Sequence, residues 1–471
     1  MTVKIKKLER GIPMYKIDFK KPIHIHFIGI GGISMSGLAE ILLEEGFTVS
    51  GSDSKESPLT KKLESEGAHI AYGQKAENIT PGIDCVVYTA AINKANPELM
   101  EAVAQKIPML TRAELLGQLM KNYDMPIAVS GTHGKTTTTS MISHILLEGN
   151  MDPTISVGGI LKAIGGNIRV GNSETFITEA CEYTNSFLHF FPRISVILNI
   201  EEDHLDFFKD LEDIRHSFHQ FAELLPEDGT LVINGDIKDY QDICSGLNCN
   251  VVTYGSSADF DYSADNITYD ENGHVSFDLI RHGTHTDHIA LSVTGDHNVS
   301  NALSAIAVAD LLDIPMEVTK KGLLSFSGTD RRFEYKGEFN GVTVVDDYAH
   351  HPTEIAATLK AAQHYPHNKV WCVFQPHTYT RTKAFFHEFA EALSHADHLV
   401  LADIYAARET DTLGVSSAGL AEEVKKLGTD THYFPSFEEI ENFLKENCKT
   451  GDLLITMGAG DIVKVGEDLL S

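Results

Sequence analysis

Residues Met125 to Gly149 read MPIAVSGTHGKTTTTSMISHILLEG: an apolar strand, a tight loop GTHGKTT, then a run with helical periodicity. A loop of this make holds anions. Gly131 and Gly134 let the backbone turn until its N–H groups converge, and the helix that follows adds the positive end of its dipole. Thr132, His133 and Thr137 complete the cradle. Lys135 is placed to reach β- and γ-phosphates, and the Thr136 hydroxyl to ligate Mg²⁺. The spacing departs from G-x-x-x-x-G-K-[ST], because Val129 stands where the first glycine belongs. The loop is a short variant, and its expected ligand is a nucleoside triphosphate; a plain Gly-punctuated strand-to-helix turn is the competing reading.

Other reactive residues follow in order. Glu179 closes the apolar run TFITEA, which belongs beside the loop strand, where a carboxylate can coordinate a Mg²⁺ that bridges two phosphates. His204 stands in the acidic run NIEEDHLDFF; it reads either as part of a solvated loop or as a second metal ligand through a neutral imidazole. In TGDHNVSNAL, His297 and Asn298 come just before a helix and Asn301 on its first turn, so the amides either cap that helix or meet an adenine edge. Arg332 in GTDRRFE sits at a predicted junction and could reach a terminal phosphate or form an interdomain salt bridge. VVDDYAHHPTEI and FQPHTYTRTK place polar groups at successive strand ends, which packing alone does not explain and a substrate cleft does. A metal site among the first of these lacks a third ligand at a supporting spacing.

A second glycine turn lies nearer the N-terminus. Gly29, Gly31 and Gly32 follow the strand IHIHFIGI, but Ser34 occupies the third position of G-x-G-x-x-G, and Asp53 ends the next strand 22 residues after Gly31. NAD, or a different diphosphate such as a UDP-sugar, could sit on this turn.

These residues need strand ends to hold them. Short apolar strands alternate with ~12-residue helices from Pro22 onward, which predicts an α/β chain of parallel sheets with right-handed crossovers. A length of 471 residues at ~150 per domain gives about three. The expected division is an extension at 1–21, a Rossmann-like unit at 22–123, a central phosphate-loop unit at 124–330 with a β-rich insertion near 251–293, and a Rossmann-like C-terminal unit at 331–471. Residues 1–13 precede a second plausible start at Met14. The net charge of −29 argues against nucleic acid as a partner. Six cysteines without a C-x-x-C pair read as reduced thiols. No apolar stretch of ~18 residues indicates membrane insertion, so a cytoplasmic protein, monomer or homodimer, is expected.

The ordered set GIGGISMSGLAEIL, GTHGKTTTT, EACEY, NIEEDHLDFF, GDHNVSNAL, RRFE, DDYAHHPTEI and FQPHTYTRT resembles the Mur ligases, from about Met14 to the end of the chain. The nearest branch is the one that adds L-alanine to UDP-N-acetylmuramate. The resemblance implies ATP and Mg²⁺ as cofactors. It implies that Lys135 and Thr136 hold the phosphates and the first Mg²⁺, with Glu179 a ligand and His204 the ligand of a second ion. His297, Asn298 and Asn301 match an adenine-binding motif, Arg332 the arginine on the terminal phosphate, and Asp347 the acid on the ATP ribose. Tyr348, His350, His377 and Arg381 correspond to the amino-acid and sugar-carboxylate end, while Gly31, Gly32, Ser34 and Asp53 would face the UDP group. Cys181, Tyr183 and Thr184 depart from the family's EADESD, and Thr378 from a common Arg. No Lys occurs from Asp210 to Ile237, which fits the alanine-adding branch, where the carbamylated lysine of later-step enzymes is not used. A peptide-adding recycling ligase and a non-catalytic nucleotide-binding regulator are the alternatives.

Overall fold

In the computed structural model, residues 15–89, 92–407, 409–410 and 413–471 are described, and they form three sheets in succession. The first contains β1 (His24–Ile28), β2 (Thr48–Asp53), β3 (His69–Tyr72), β4 (Cys85–Tyr88) and β5 (Met109–Thr111), all parallel in the order β3-β2-β1-β4-β5. The order reverses at β1, so the crevice for a ligand opens beyond its carboxyl end. The glycine turn Gly29–Gly32 and helix α1 (Ile33–Glu44) lie there.

The expected extension ends sooner than the sequence suggests. Ile17 is fully buried, the Asn122 amide donates to the Ile17 carbonyl and accepts from Phe19 N–H, each at 3.1 Å, and the Phe19 ring meets Tyr123 edge to face. Residues 15–21 therefore pack with the first unit, driven by two apolar side chains that a mostly polar, Lys-rich segment disguises. The segment 1–14 lies outside the described residues.

The second sheet runs β15-β14-β13-β12-β11-β10-β6-β9-β7-β8. Its centre is β6 (Met125–Ser130), flanked by β9 (Thr175–Glu179) and β10 (Ile194–Ile197), all parallel. β6 is almost wholly buried, as a strand covered on both faces must be. The stretch expected as an insertion continues this sheet: β11 (Thr230–Asn234) pairs with β12 (Asn250–Gly255), and an antiparallel meander of β13 (Tyr262–Tyr269), β14 (His274–Arg281) and β15 (Thr284–Thr294) extends it. At the opposite edge, β7 (Thr154–Leu161) and β8 (Gly166–Arg169) form a hairpin. Helix α2 (Lys135–Glu148) starts directly after the phosphate loop, and α3 (His297–Leu311), whose Ala-rich run is buried nearly all round, packs beside it.

The third sheet has the order β16-β17-β21-β18-β19-β20, with β16 (Glu334–Phe339), β17 (Val342–Asp347), β18 (Val370–Phe374), β19 (His398–Leu401), β20 (Asp430–Tyr433) and β21 (Leu453–Met457). Only β16 runs antiparallel, on the edge. Helix α4 (Pro352–Ala362) leaves the carboxyl end of β17 and points its N-terminus at the phosphate loop. Among the described residues no helix is long and apolar enough to cross a membrane.

Candidate functional site

The loop after β6 is held open from below. Asn199, at the end of the strand run containing β10, accepts the His133 N–H at 2.7 Å and donates to the His133 carbonyl at 3.1 Å. Gly131 and Gly134 have φ of 148° and 84°, and a Cβ on Gly134 would lie 2.8 Å from the Asn301 amide oxygen, so both turns need glycine. Gly134 caps α2 without a side-chain acceptor, and no acid stands in the first turn, which leaves its N–H groups free for an anion. Lys135 donates to the Thr132 carbonyl at 3.1 Å and pairs with Glu182 at 3.0 Å. Burial opposes its charge, yet Glu182 raises its pKa above the usual lysine value, so the cation persists. Glu179 is half-buried beside it, bonded to the Gly158 N–H at 2.5 Å and to the Thr136 hydroxyl; desolvation raises its pKa. A half-buried carboxylate and hydroxyl facing one another are the donor set a hard divalent cation takes. His204, held at φ 53° and stacked on Tyr183, lies 3.7 Å from Glu182. Burial lowers its pKa, which keeps the imidazole neutral.

The C-terminal unit closes over this loop. Burial opposes charge on His133, but Glu354 at 3.1 Å and Glu201 at 3.6 Å outweigh it and carry its pKa up to about 9. Thr353 donates to Glu201 at 2.6 Å, His351 meets the Glu202 carbonyl at 3.1 Å, and Arg381 pairs with Asp203 at 2.8 Å. Between the two units lies a cavity of about 720 Å³, bordered by His133, Gly134 and Thr137 on one side and Arg332 and Asp347 on the other. His297, Asn298 and Asn301 line its floor. The volume suits a nucleotide-sized ligand.

Family models place the chain. The Mur ligase family catalytic domain matches residues 24–124, the Mur ligase middle domain 129–309, and the Mur ligase glutamate ligase domain 331–460. The chain belongs to the Mur ligase family. It is 64% identical over 457 residues, 97% of this chain and all of the relative, to the UDP-N-acetylmuramate–L-alanine ligase of Agathobacter rectalis. With the enzyme of that name from Lachnospira eligens the identity is 63%, over 97% of this chain and 100% of the relative. The crystal structure of the UDP-N-acetylmuramate-alanine ligase of Thermotoga maritima superposes with a TM-score of 0.79 at 28% identity, covering 95% of this chain and 98% of that one. A murein peptide ligase from Psychrobacter arcticus superposes with a TM-score of 0.68 at 26% identity, again over 95% and 98%.

This Mur ligase gathers some of its expected residues more tightly than others. Helix α3 begins at His297 itself, so His297 and Asn298 lie in its first turn and Asn301 a full turn inside. The Asn298 amide donates to the Thr294 carbonyl at 2.7 Å and accepts from Asn301 at 3.0 Å, leaving part of each amide for the cavity. Burial lowers the His297 and His350 pKa values to about 4 and raises that of Asp347 to about 6. Tyr348 lies under the guanidinium groups of Arg331 and Arg332, 4.9 and 5.4 Å from its ring centre. His377 stacks on Tyr405, 3.3 Å from Arg381. Gly31, Gly32, Ser34 and Asp53 stand apart at the first turn, where Asp53 accepts the Gly31 N–H at 2.8 Å. Glu182, Glu201, Asp203 and Glu354, the acids that neutralise the site's cations, escaped the sequence reading; each is within four residues of a singled-out one, and Glu201 and Asp203 stand inside an acidic run that also reads as a solvated loop.

Proposed function

We propose that this Mur ligase joins L-alanine to the lactyl carboxylate of UDP-N-acetylmuramate at the cost of ATP, a step of peptidoglycan precursor synthesis. The observation that carries the reading is the cleft in which His133, Gly134 and Thr137 of the phosphate-loop unit and Arg332 of the C-terminal unit face one cavity; the substrates follow from the names of relatives 63–64% identical over nearly the whole chain. In the first step a carboxylate oxygen attacks the γ-phosphorus, the bond to the β-phosphate oxygen breaks, and ADP leaves with an acyl phosphate formed. Lys135 and Arg332 take up the charge on the transferring group, and the backbone N–H groups of the loop orient it. Two Mg²⁺ ions, one that Thr136 and Glu179 would hold and a second that His204 would hold, would supply further charge neutralisation. In the second step the alanine nitrogen attacks the acyl carbon and phosphate departs. The amine's proton goes to a neutral imidazole, and His350, with Nδ1 fixed on the Tyr348 carbonyl at 2.9 Å, offers Nε2.

We assign the adenine to His297, Asn298 and Asn301, the ATP ribose to Asp347, and the amino-acid end to Tyr348, His350, His377 and Arg381. The UDP group goes to the first glycine turn, within a unit that runs from about residue 15 to 123; residues 124–330 form the ATP unit and 331–471 the ligase unit. Phosphate release from purified protein with ATP, Mg²⁺ and the sugar nucleotide is the test. Release that needs both UDP-N-acetylmuramate and L-alanine is expected. Release with an L-Ala-containing peptide instead of the free amino acid would make the chain a recycling ligase, and none with either acceptor would make it a non-catalytic nucleotide binder.

A further inference from the structure

Beside the phosphate loop stands a group of side chains that the ligase reaction does not use. One ring nitrogen of His133, one of His351 and a carboxylate oxygen of Glu201 lie within 4.8 Å of one another. His133 belongs to the loop before α2 and Glu201 to the segment after β10, whereas His351 precedes α4 in the C-terminal unit. We propose that these three residues form a site for one transition-metal ion of the Zn²⁺ class, which bridges the central and C-terminal units.

Four observations support it. His133 Nε2 is buried without a hydrogen-bond partner, while Nδ1 meets Glu354 at 3.1 Å. A carboxylate on the far nitrogen is the outer-shell support that metal-bound imidazoles ordinarily have, since it fixes the tautomer and raises basicity at the ligating atom. His351 repeats the arrangement, with Nε2 3.1 Å from the Glu202 carbonyl; its Nδ1 makes only a long 3.4 Å cap to the Thr353 N–H, the contact an ion would displace. Two imidazoles with one carboxylate suit Zn²⁺ or Co²⁺ rather than Mg²⁺, which prefers oxygen ligands.

The remaining geometry is within reach. Ligands about 2.1 Å from a tetrahedral ion are roughly 3.4 Å apart, so side-chain movements of about 1 Å assemble the site and leave a fourth position for water. Entry is open, because Glu201 and His351 also line a second cavity, of about 590 Å³, between Leu211, Phe385 and His395. Binding releases the Nε2 proton of His133 to solvent. An ion held from both units resists their separation, and product release from a closed cleft needs that separation.

Co²⁺ titration of the full chain in excess Mg²⁺ tests the site through the visible absorption of a low-coordinate N/O complex. One Co²⁺ per chain is expected, displaced by one Zn²⁺. The band should vanish in Glu201→Gln and in His351→Gln, weaken about tenfold in affinity in Glu354→Gln, and survive Glu179→Gln, which alters the phosphate-loop carboxylate instead. No band, or a band that persists in both Glu201→Gln and His351→Gln with unchanged melting curves, overturns the proposal; so does loss in Glu179→Gln alone, which puts the ion in the phosphate loop. A further readout rests on the ligase reading: Zn²⁺ slows wild-type turnover and slows Glu201→Gln about tenfold less. If the chain proves inactive, the absorption experiment still decides the metal site.

Discussion

Two glycine turns in this molecule share one local design and end in different surroundings. Gly29–Gly32 and Gly131–Gly134 each follow a central parallel strand and open a helix with no side-chain cap and no acid in its first turn. At the second turn the fold supplies a half-buried lysine, the buried Glu182, the half-buried Glu179 and a roof from another unit. At the first it supplies one aspartate, and Gly32, Ile33 and Ser34 remain exposed. In both, a protein carboxylate stands in the way of an anionic ligand: Glu182 holds the cation Lys135, and Asp53 holds the donor Gly31 N–H. A phosphate arriving at the second turn competes for a mobile cation; at the first it meets a fixed negative charge. The lesson is that an anion-binding turn is only a geometry, and that reactivity comes from what distant parts of the chain place around it.

The comparison breaks most visibly at Lys135. Lys135→Ala removes the loop's own cation and leaves Glu182 buried without its partner, so turnover should fall by about 10³-fold while far-ultraviolet dichroism stays unchanged. A variant with near-normal rate would mean that the second turn is no more reactive than the first. Arg332 lines the cavity beside the phosphate loop from the other unit, 3.7 Å from Glu354 and over the Tyr348 ring. Arg332→Ala should cost about 10²-fold, chiefly in kcat, because its charge matters most when the phosphoryl group transfers. A loss confined to KM for ATP would assign it to ground-state binding alone.

How much of this was legible in the sequence differs between the two turns for the same reason. Strands such as IAVS and VWCVF are continuous apolar runs, and the α/β plan of three largely parallel sheets follows from their spacing. The β7–β8 hairpin and the edge strand β16, by contrast, are half-exposed and mixed in composition, so nothing periodic marks them. At the phosphate loop, GTHGKTT announces its chemistry because all its parts are contiguous. The contacts that complete it join residues 66 to 221 positions apart: Asn199 under His133, Glu354 on His133, Asp203 on Arg381. Such pairs depend on how two units face each other, which no local pattern encodes. At the N-terminus, Ile17 and Phe19 read as stray apolar residues until Asn122 and Tyr123 are brought against them.

A pH series sharpens the second side of the comparison. Asp347, whose oxygens accept the Phe333 and Ala349 N–H groups at 2.9 and 2.7 Å, has its pKa raised by burial from 3.8 to about 6. The folded protein therefore binds more protons than the unfolded chain between those values. Stability contributed by this residue falls as pH rises from 3.8 to 6, and the penalty is complete above 6. At about 1.4 kcal/mol per pKa unit the span is at most about 3 kcal/mol. Asp347→Asn removes the titration, so its melting temperature relative to wild type should climb between pH 4 and pH 7. A constant difference across that range would show that the buried carboxylate is not strained by its surroundings.

The smallest expected effect lies at the first turn. Asp53 accepts from Gly31 N–H at 2.8 Å, Ser54 N–H at 2.7 Å and the Ser54 hydroxyl at 3.2 Å. With three donors already spent on it, the carboxylate acts here as a brace that fixes the turn. Asp53→Asn keeps one amide oxygen for the Gly31 N–H and removes the fixed charge, so the loss of brace and the relief of repulsion toward a diphosphate oppose each other. The cost of a weakened charge-assisted hydrogen bond is about 1.5 kcal/mol, roughly tenfold in affinity, and lost repulsion offsets part of it. KM for UDP-N-acetylmuramate should therefore rise by less than about tenfold, with kcat unchanged, since on the proposed reading the carboxylate reacts at the phosphate loop, in another unit. A much larger rise would place Asp53 on the ligand itself, as an acid at the end of the second strand would be if it held a ribose, and the first turn would then resemble the second in needing its acid for chemistry rather than for shape.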